Sequence, residues 1–281
     1  MRLLIFGLGY CGTAIANAAR EAGFAATAVA RQPPGPDTVP FDAATTVVAA
    51  ATHLLSTVPP NAHSDPVLAR YADAIATAPH LRWIGYLSST VVYGDRDGGW
   101  VDEDTPPEPS QERGHRRLAA ETAWSMLSAA HAVDVFRLAG IYGPGRSAFD
   151  DLYSGRARRI IKPGHAFGRI HRDDIAGAVL AATRQSVAPG RRTFNLNDDE
   201  PAESARVLEE AARLLHKPAP PAIAFADAEP MMSPMARSFW AENRKVASHK
   251  TQAALGYAWR HPTYREGLRA ILRQQIADHP P

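Results

Sequence analysis

The chain has 281 residues, 45% of them hydrophobic, with 31 basic side chains against 29 acidic ones and a single cysteine. That length holds one large domain or a domain with a smaller lobe, and the apolar content supports a substantial core. A net charge of +2 supplies no bulk field for nucleic acid or an anionic membrane, no apolar run is long enough to span a bilayer, and Cys11 has no partner for an internal disulfide. A cytoplasmic protein acting on a small molecule is the expectation.

The first dozen residues set the organisation. Residues 3–6 read as a buried strand running straight into Gly7-x-Gly9-x-x-Gly12, and the helix that follows places Ile15, Ala18, Ala19 and Ala22 on one face. A pyrophosphate sits on the unpaired N–H groups of a helix N-terminus, and side chains at Gly7, Gly9 or Gly12 would block the turn, the approach or the packing. Tyr10 and Cys11 complete the turn and count with the glycines as cofactor-binding candidates. A helix N-terminus can lower a thiol's pKa, although a small packed residue is the plainer role for Cys11. Residues 25–31 read as a second strand whose end carries Arg31 and no acid. An acidic side chain there accepts from the ribose hydroxyls of NAD, whereas an arginine pairs with the 2′-phosphate of NADP, so Arg31 favours NADP over NAD.

After the loop 32–36, Asp42 either meets the adenine side of such a cofactor or caps a turn. Residues 53–58 form a strand stopped by Pro59 and Pro60, which puts the backbone of Ser56, Thr57, Val58 and Pro59 where the cofactor's ribose passes. A helix beginning at Pro66 turns Leu68, Tyr71, Ile75 and Ala78 inward. The strand 81–87 delivers Ser88, Ser89 and Thr90 at its carboxyl end, an acidic and proline-rich loop covers 102–109, and a helix over 113–130 buries Leu118, Met126 and Leu127. A strand over 133–138 leads to the glycine-rich 140–146; Asp173 or Asp174 caps a helix through Leu180, and 193–196 is the last strand. Strands alternating with helices in this way mean a parallel, doubly wound sheet.

From Pro201 onward a helix with Val207, Leu208, Ala211, Leu214 and Leu215 inward, a proline linker over 218–221 and a terminal helix around Leu268, Ile271 and Leu272 read as a small substrate lobe. The expected organisation is an α/β Rossmann domain over residues 1–198, with an inserted segment at about 146–170, and a C-terminal lobe over 199–281. Arg156, Arg158 and Arg159 inside the insertion either receive a phosphate or carboxylate or form a solvated face.

On these residues the chain resembles the short-chain dehydrogenase/reductase superfamily in its extended type, which includes sugar-nucleotide epimerases and dehydratases. Beside the glycine turn, Ser88-Ser89-Thr90-Val91-Val92-Tyr93-Gly94 is similar to the family's serine segment and Gly143-Pro144-Gly145 to its post-strand turn. Ile170-His171-Arg172-Asp173-Asp174-Ile175-Ala176 resembles its late helix start, and Leu255-Gly256-Tyr257 with residues 262–268 its tail. Residues 137–146 are most similar to the YeeZ-like branch of this epimerase/dehydratase group. The resemblance implies a nicotinamide dinucleotide, Ser89 in the place of the catalytic serine, and a homodimer through the helix that carries Arg113 and Arg117.

Active members carry a Tyr-x-x-x-Lys pair on that helix, the lysine lowering the tyrosine's pKa so that it exchanges a proton during hydride transfer. Here Arg113 and Arg117 occupy the two places. A guanidinium keeps its proton at any working pH, so it orients or neutralises an anion instead. Gly140 stands where sugar-nucleotide enzymes present an asparagine, which argues against a nucleotide-sugar substrate. Arg113 and Arg117, four apart on one helical face, suit a carboxylate or phosphate, or else pair with Asp102, Glu103 and Asp104. Tyr142, Tyr93, His115 and His171 are candidates for a replacement proton donor, Tyr142 lying nearest the strand ends. No His, Asp or Glu cluster has metal-ligand spacing. Two readings follow: an NADP-dependent oxidoreductase or epimerase-like enzyme on a small, oxygenated, anionic substrate, and a non-catalytic NADP(H) sensor or scaffold.

Overall fold

The computed structural model describes residues 1–32, 35 and 37–278; Pro33, Pro34 and Pro36 of the loop expected after the second strand lie outside them. Its elements run β1 (Arg2–Phe6), α1 (Tyr10–Glu21), β2 (Ala25–Ala30), β3 (Thr38–Pro40), α2 (Thr45–Ala50), β4 (His53–Ser56), α3 (Pro66–Ala76), β5 (Trp83–Ser89) and β6 (Trp100–Val101). They continue with α4 (Glu112–Ser125), β7 (Ala132–Leu138), β8 (Gly140–Tyr142), α5 (Ala148–Tyr153), β9 (Arg159–Ile161), β10 (Arg169–His171), α6 (Arg172–Thr183) and β11 (Gly190–Leu196). The rest is α7 (Ser204–Leu214), β12 (Ala222–Ala224), α8 (Phe225–Ala228), α9 (Pro234–Trp240), β13 (Lys245–Val246), α10 (His249–Leu255) and α11 (Tyr264–Asp278).

Seven strands form one parallel sheet in the order β11-β7-β5-β4-β1-β2-β3. The chain winds outward in one direction from β1 through β2 to β3, and in the other from β4 through β5 and β7 to β11. The reversal falls between β1 and β4, where a crevice opens at the carboxyl ends of the strands. Parallel strands need both faces covered, which is why β1, β4, β5 and β7 are buried almost without interruption. On one face Ile15, Ala16 and Ala19 of α1 pack with Ile175, Ala178 and Val179 of α6 and with Leu255 and Trp259. On the other, Val48, Tyr71, Ile75 and Trp124 from α2, α3 and α4 cover Leu54, Ile84 and Val135.

A third cluster joins α5, α7 and α11 through Phe149, Val207, Ala211, Tyr264, Leu268 and Ile271, with Tyr142 from β8. Short parallel pairs tie the late chain back to earlier segments: β8 to β10, β9 to β12 and β6 to β13.

Two expectations need correction. Met126 faces solvent with 79% of its surface exposed, because α4 ends at Ser125 and Met126–Ala129 continues as a tighter 3₁₀ turn, whose larger rotation per residue swings it off the helix's buried stripe. That stripe is Gly114, Ala120, Glu121 and Trp124. The cap of α6 is His171, whose side chain accepts from Asp173 N, and neither Asp173 nor Asp174 serves as the cap residue. Both aspartates lie in the first turn, where the helix dipole favours them.

Candidate active site

The three glycines of the turn answer three separate demands. Gly7 adopts φ +97°, a conformation L side chains rarely take. A Cβ on Gly12 would lie 2.0 Å from Gly7 O, so the close approach of α1 to β1 needs a bare backbone there. A Cβ on Gly9 would meet nothing within 4 Å. Gly9 is also the N-cap of α1 and offers no side chain to its orphan N–H groups. Open space over an uncapped helix N-terminus is what the pyrophosphate of a dinucleotide requires, and the residues present fit it. Thr57 pins the turn by donating through Oγ1 to Phe6 O and Gly7 O, both at 3.1 Å. Tyr10 donates to Pro144 O at 3.0 Å, and its ring lies beneath the guanidinium groups of Arg172 and Arg146, at 5.1 and 5.7 Å. Cys11 is buried, and burial pushes its thiol up to about 11, so it is a packed side chain and not an activated one.

The other cofactor candidates line the carboxyl edge of the sheet beside this turn. Arg31 follows β2 directly, where Val29 pairs with Phe6 and accepts from Gly7 N at 2.9 Å. Asp42 is exposed in the 3₁₀ turn Phe41–Ala43. Ser56 is fully buried, Val58 packs against the core and Pro59 is exposed. Thr57 belongs to the cleft wall with Gly9, Tyr10, Cys11 and Gly12; Arg31, Asp42, Ser56, Val58 and Pro59 stand outside it.

The cleft, of about 590 Å³, runs from the glycine turn past Ser88, Ser89 and Thr90 to Arg113 and Arg117, and ends at Phe167, Phe239 and Trp240. Ser89 closes β5 and accepts from Val91 N at 3.3 Å, capping the turn Thr90–Tyr93. Arg117 donates through Nη1 to Tyr86 Oη at 2.9 Å and to Leu87 O at 3.1 Å. Arg113 lays its guanidinium over the Phe239 ring at 5.0 Å, and burial followed by the charge of Arg117 weakens its hold on the proton. The acids of loop 102–109 are engaged elsewhere: Asp102 and Asp104 bind Lys250, and Glu103 accepts from Asn195 N. The Arg113 and Arg117 pair therefore faces the cleft without those partners.

The proton-donor candidates are turned to other work. Tyr142 is buried with its hydroxyl 3.5 Å from Thr263 O, against the start of α11, and burial pushes its pKa up. Tyr93 donates to Asn195 Oδ1 at 2.8 Å, with its pKa also raised by burial. His115 is exposed on α4. His171 is buried and pushed down to about 4, first by desolvation and then by the charge of His261. Gly140 lines the cleft with no side chain to offer. Arg159 pairs with Glu209 at 2.8 Å while Arg156 and Arg158 are exposed, all three away from the cleft.

Several site residues carry no sequence motif. Arg169, Phe239, Trp240, Glu242 and Arg244 reach the cleft because β10 and the segment around α9 and β13 fold over its far end. His171, Asp174 and His261 bring three potential metal donors within 4.8 Å. The i,i+3 spacing of the first two is the sole local signal, since His261 is distant in sequence. The lone pair of His171 Nδ1 is engaged by Asp173 N, which puts the proton on Nε2. That nitrogen is buried and has no hydrogen-bond partner among the described residues.

Comparison with known proteins fits this geometry. No protein-family model matches the chain. A conserved protein of unknown function from Silicibacter pomeroyi DSS is 40% identical, with 98% of this chain and 99% of that one covered at a TM-score of 0.88. The human epimerase family protein SDR39U1, in a structure with NADPH, superposes at a TM-score of 0.77 over 97% of this chain and 99% of its own, at 20% identity. Its solved neighbours include proteins of the NAD-dependent epimerase/dehydratase type, and its fold is that of the extended short-chain dehydrogenase/reductase type. Two curated relatives match over part of their length. The 3-diazoavenalumate denitrifying reductase of a Streptomyces species is 32% identical over 181 residues, 60% of this chain and 58% of its own. YeeZ of Escherichia coli is 36% identical over 107 residues, 37% of this chain and 36% of its own. The fold of the chain is thus shared from end to end with solved structures, and its curated relatives are matched over little more than half their length at most. Among the described residues no helix is long and apolar enough to cross a membrane.

Proposed function

We propose that the chain is an NADP(H)-dependent oxidoreductase of the extended short-chain dehydrogenase/reductase type, acting on a small, oxygenated, anionic substrate without a Tyr-x-x-x-Lys pair. One observation carries the reading: a single cleft runs from the uncapped N-terminus of α1, past Ser89, to the guanidinium groups of Arg113 and Arg117. Gly7, Gly9, Tyr10, Cys11 and Gly12 hold the pyrophosphate, Arg31 takes the 2′-phosphate, and the backbone from Ser56 to Pro59 with Asp42 borders the adenosine half. The NADPH in the human SDR39U1 structure and the reductase among the relatives support the same cofactor class. When bound, NADPH supplies a hydride. Ser89 orients the substrate oxygen, and Arg113 and Arg117 neutralise charge that develops on the substrate. We assign residues 1–198 to the cofactor half and 199–281 to the substrate side, and the chain to the cytoplasm.

The test is oxidation of NADPH in the presence of candidate substrates. Ser89→Ala slows turnover without weakening NADPH binding; an unchanged rate removes Ser89 from the mechanism. The Tyr142 hydroxyl, 3.5 Å from Thr263 O with its pKa raised by burial, favours a second reading, a non-catalytic NADP(H) sensor. Under that reading NADP⁺ and NADPH bind with different affinities and no compound is turned over.

A further inference from the structure

We infer that the far end of the cleft recognises a flat, conjugated carboxylate, meaning an arenecarboxylate or its vinylogue; this rests on the cofactor reading above for the identity of the near end. Among the described residues lining the cleft there are five arginines, Arg113, Arg117, Arg146, Arg169 and Arg244, against one carboxylate, Glu242. Of the five, Arg244 forms an ion pair with that acid at 2.6 Å. Arg117 spends Nη1 on Tyr86 Oη and Leu87 O, and Arg169 spends Nη1 on two carbonyls, Phe167 O and Ala202 O, both at 2.9 Å. Neutral acceptors hold these groups in place without discharging them. A concave site with surplus, fixed guanidinium charge calls for an anion, and the planar fork of arginine matches a carboxylate with two parallel bonds.

The wall opposite specifies the body of that anion. Trp240 is wedged between His165, stacked at 5.3 Å, and Phe167, edge-on at 5.0 Å, and its carbonyl accepts from Lys162 Nζ at 2.6 Å. Phe239, on the same turn of α9, is 49% exposed and meets Arg113 across its ring face. Gln111 ties the turn to α4 by donating to Ser238 O at 3.0 Å. The half-open Phe239 ring beside Arg113 favours a π surface that stacks on it while its carboxylate reaches Arg113 and Arg117. An aliphatic acid satisfies the charge and leaves the ring uncovered, and inorganic phosphate does the same.

The test is calorimetric titration of the full chain with trans-cinnamate, cyclohexanecarboxylate, cinnamamide and inorganic phosphate, in the presence of saturating NADP⁺ and again without it. The inference expects cinnamate to bind at least tenfold more tightly than the other three. It also expects Arg113→Gln and Phe239→Leu each to weaken cinnamate at least fivefold with NADP⁺ binding retained. Arg117→Gln should act in the same direction, and the two exposed-site variants decide the matter where Arg117→Gln fails to fold. Binding of NADP⁺ with no preference for cinnamate overturns the inference and leaves the cofactor reading standing. Cinnamate preference without any NADP⁺ binding upholds the inference and overturns the cofactor reading; failure of both ligands overturns both.

Discussion

Gly9 and Gly12 separate a binding role from a packing role within three residues. Gly9 has ordinary backbone angles, φ −73° and ψ −170°, and open space at its Cβ, so Gly9→Ala should leave stability within about 0.5 kcal/mol while cutting NADPH affinity, because the methyl occupies the pyrophosphate's place. Gly12→Ala drives a methyl into Gly7 O and should cost about 1–3 kcal/mol or more of stability as well as binding. Chemical denaturation beside calorimetry on the two variants checks both; equal destabilisation would refute the division of roles. Asp198 supplies a pH prediction. It is buried, and its carboxyl is pushed up to about 8 from an ordinary 3.8, desolvation outweighing the nearby Arg169 charge. The folded state therefore keeps a proton that the unfolded chain has released, and stability falls as pH rises from about 4 through 8. Asp198→Asn should raise the melting temperature by more at pH 8 than at pH 5. The glycine pattern was legible from sequence because its demands are local. The burial of Asp198 was not, because it depends on Arg169 and Tyr142 arriving from other strands.

At the scale of elements, α4 combines two tasks one turn apart. Its first half presents Arg113 and Arg117 to the cleft. Its second half buries Glu121, which accepts from Arg137 Nη2 at 2.8 Å, from Ser88 Oγ and from Arg191 at 3.3 Å. This network couples the helix to the end of β5, where Ser88 and Ser89 sit. Breaking a buried pair leaves a charge uncompensated, so Glu121→Ala should destabilise by about 3–5 kcal/mol, read as a shifted urea midpoint. Trp124 adds to the same seam by donating to Asp65 Oδ2 at 3.0 Å, and Asp65 in turn caps α3. Sequence periodicity located α4 and gave its inward face to Leu118, Met126 and Leu127, of which Leu118 and Leu127 are half-buried against the core and Met126 is exposed. The buried side of this helix is polar and small at Glu121 and Gly114, which hydrophobic patterning does not register.

At the scale of the whole molecule, the sheet and the far wall of the cleft have different visibility. Strand and helix alternation made the doubly wound sheet legible, since each buried strand and each amphipathic helix carries its own period. The pairs β6–β13 and β9–β12 are two or three residues long and join segments far apart in sequence, so no local signal marks them. Those pairs help bring Phe239, Trp240 and Arg244 over the far end of the cleft. The glycine turn at one end of the cleft was readable and the wall at its far end was not, for that reason.

Dinucleotide binding at the Gly7–Gly12 turn with Arg31 at the 2′-phosphate underlies the proposed function. Calorimetric titration of the purified, ligand-free protein with NADPH, NADP⁺, NADH and NAD⁺, repeated on Arg31→Ala, tests it most directly. The account predicts that NADPH and NADP⁺ bind at least tenfold more tightly than NADH and NAD⁺, and that the substitution erases this preference while leaving NADH binding unchanged. A folded protein that binds none of the four, or an Arg31→Ala variant that keeps the preference for NADPH, would contradict it.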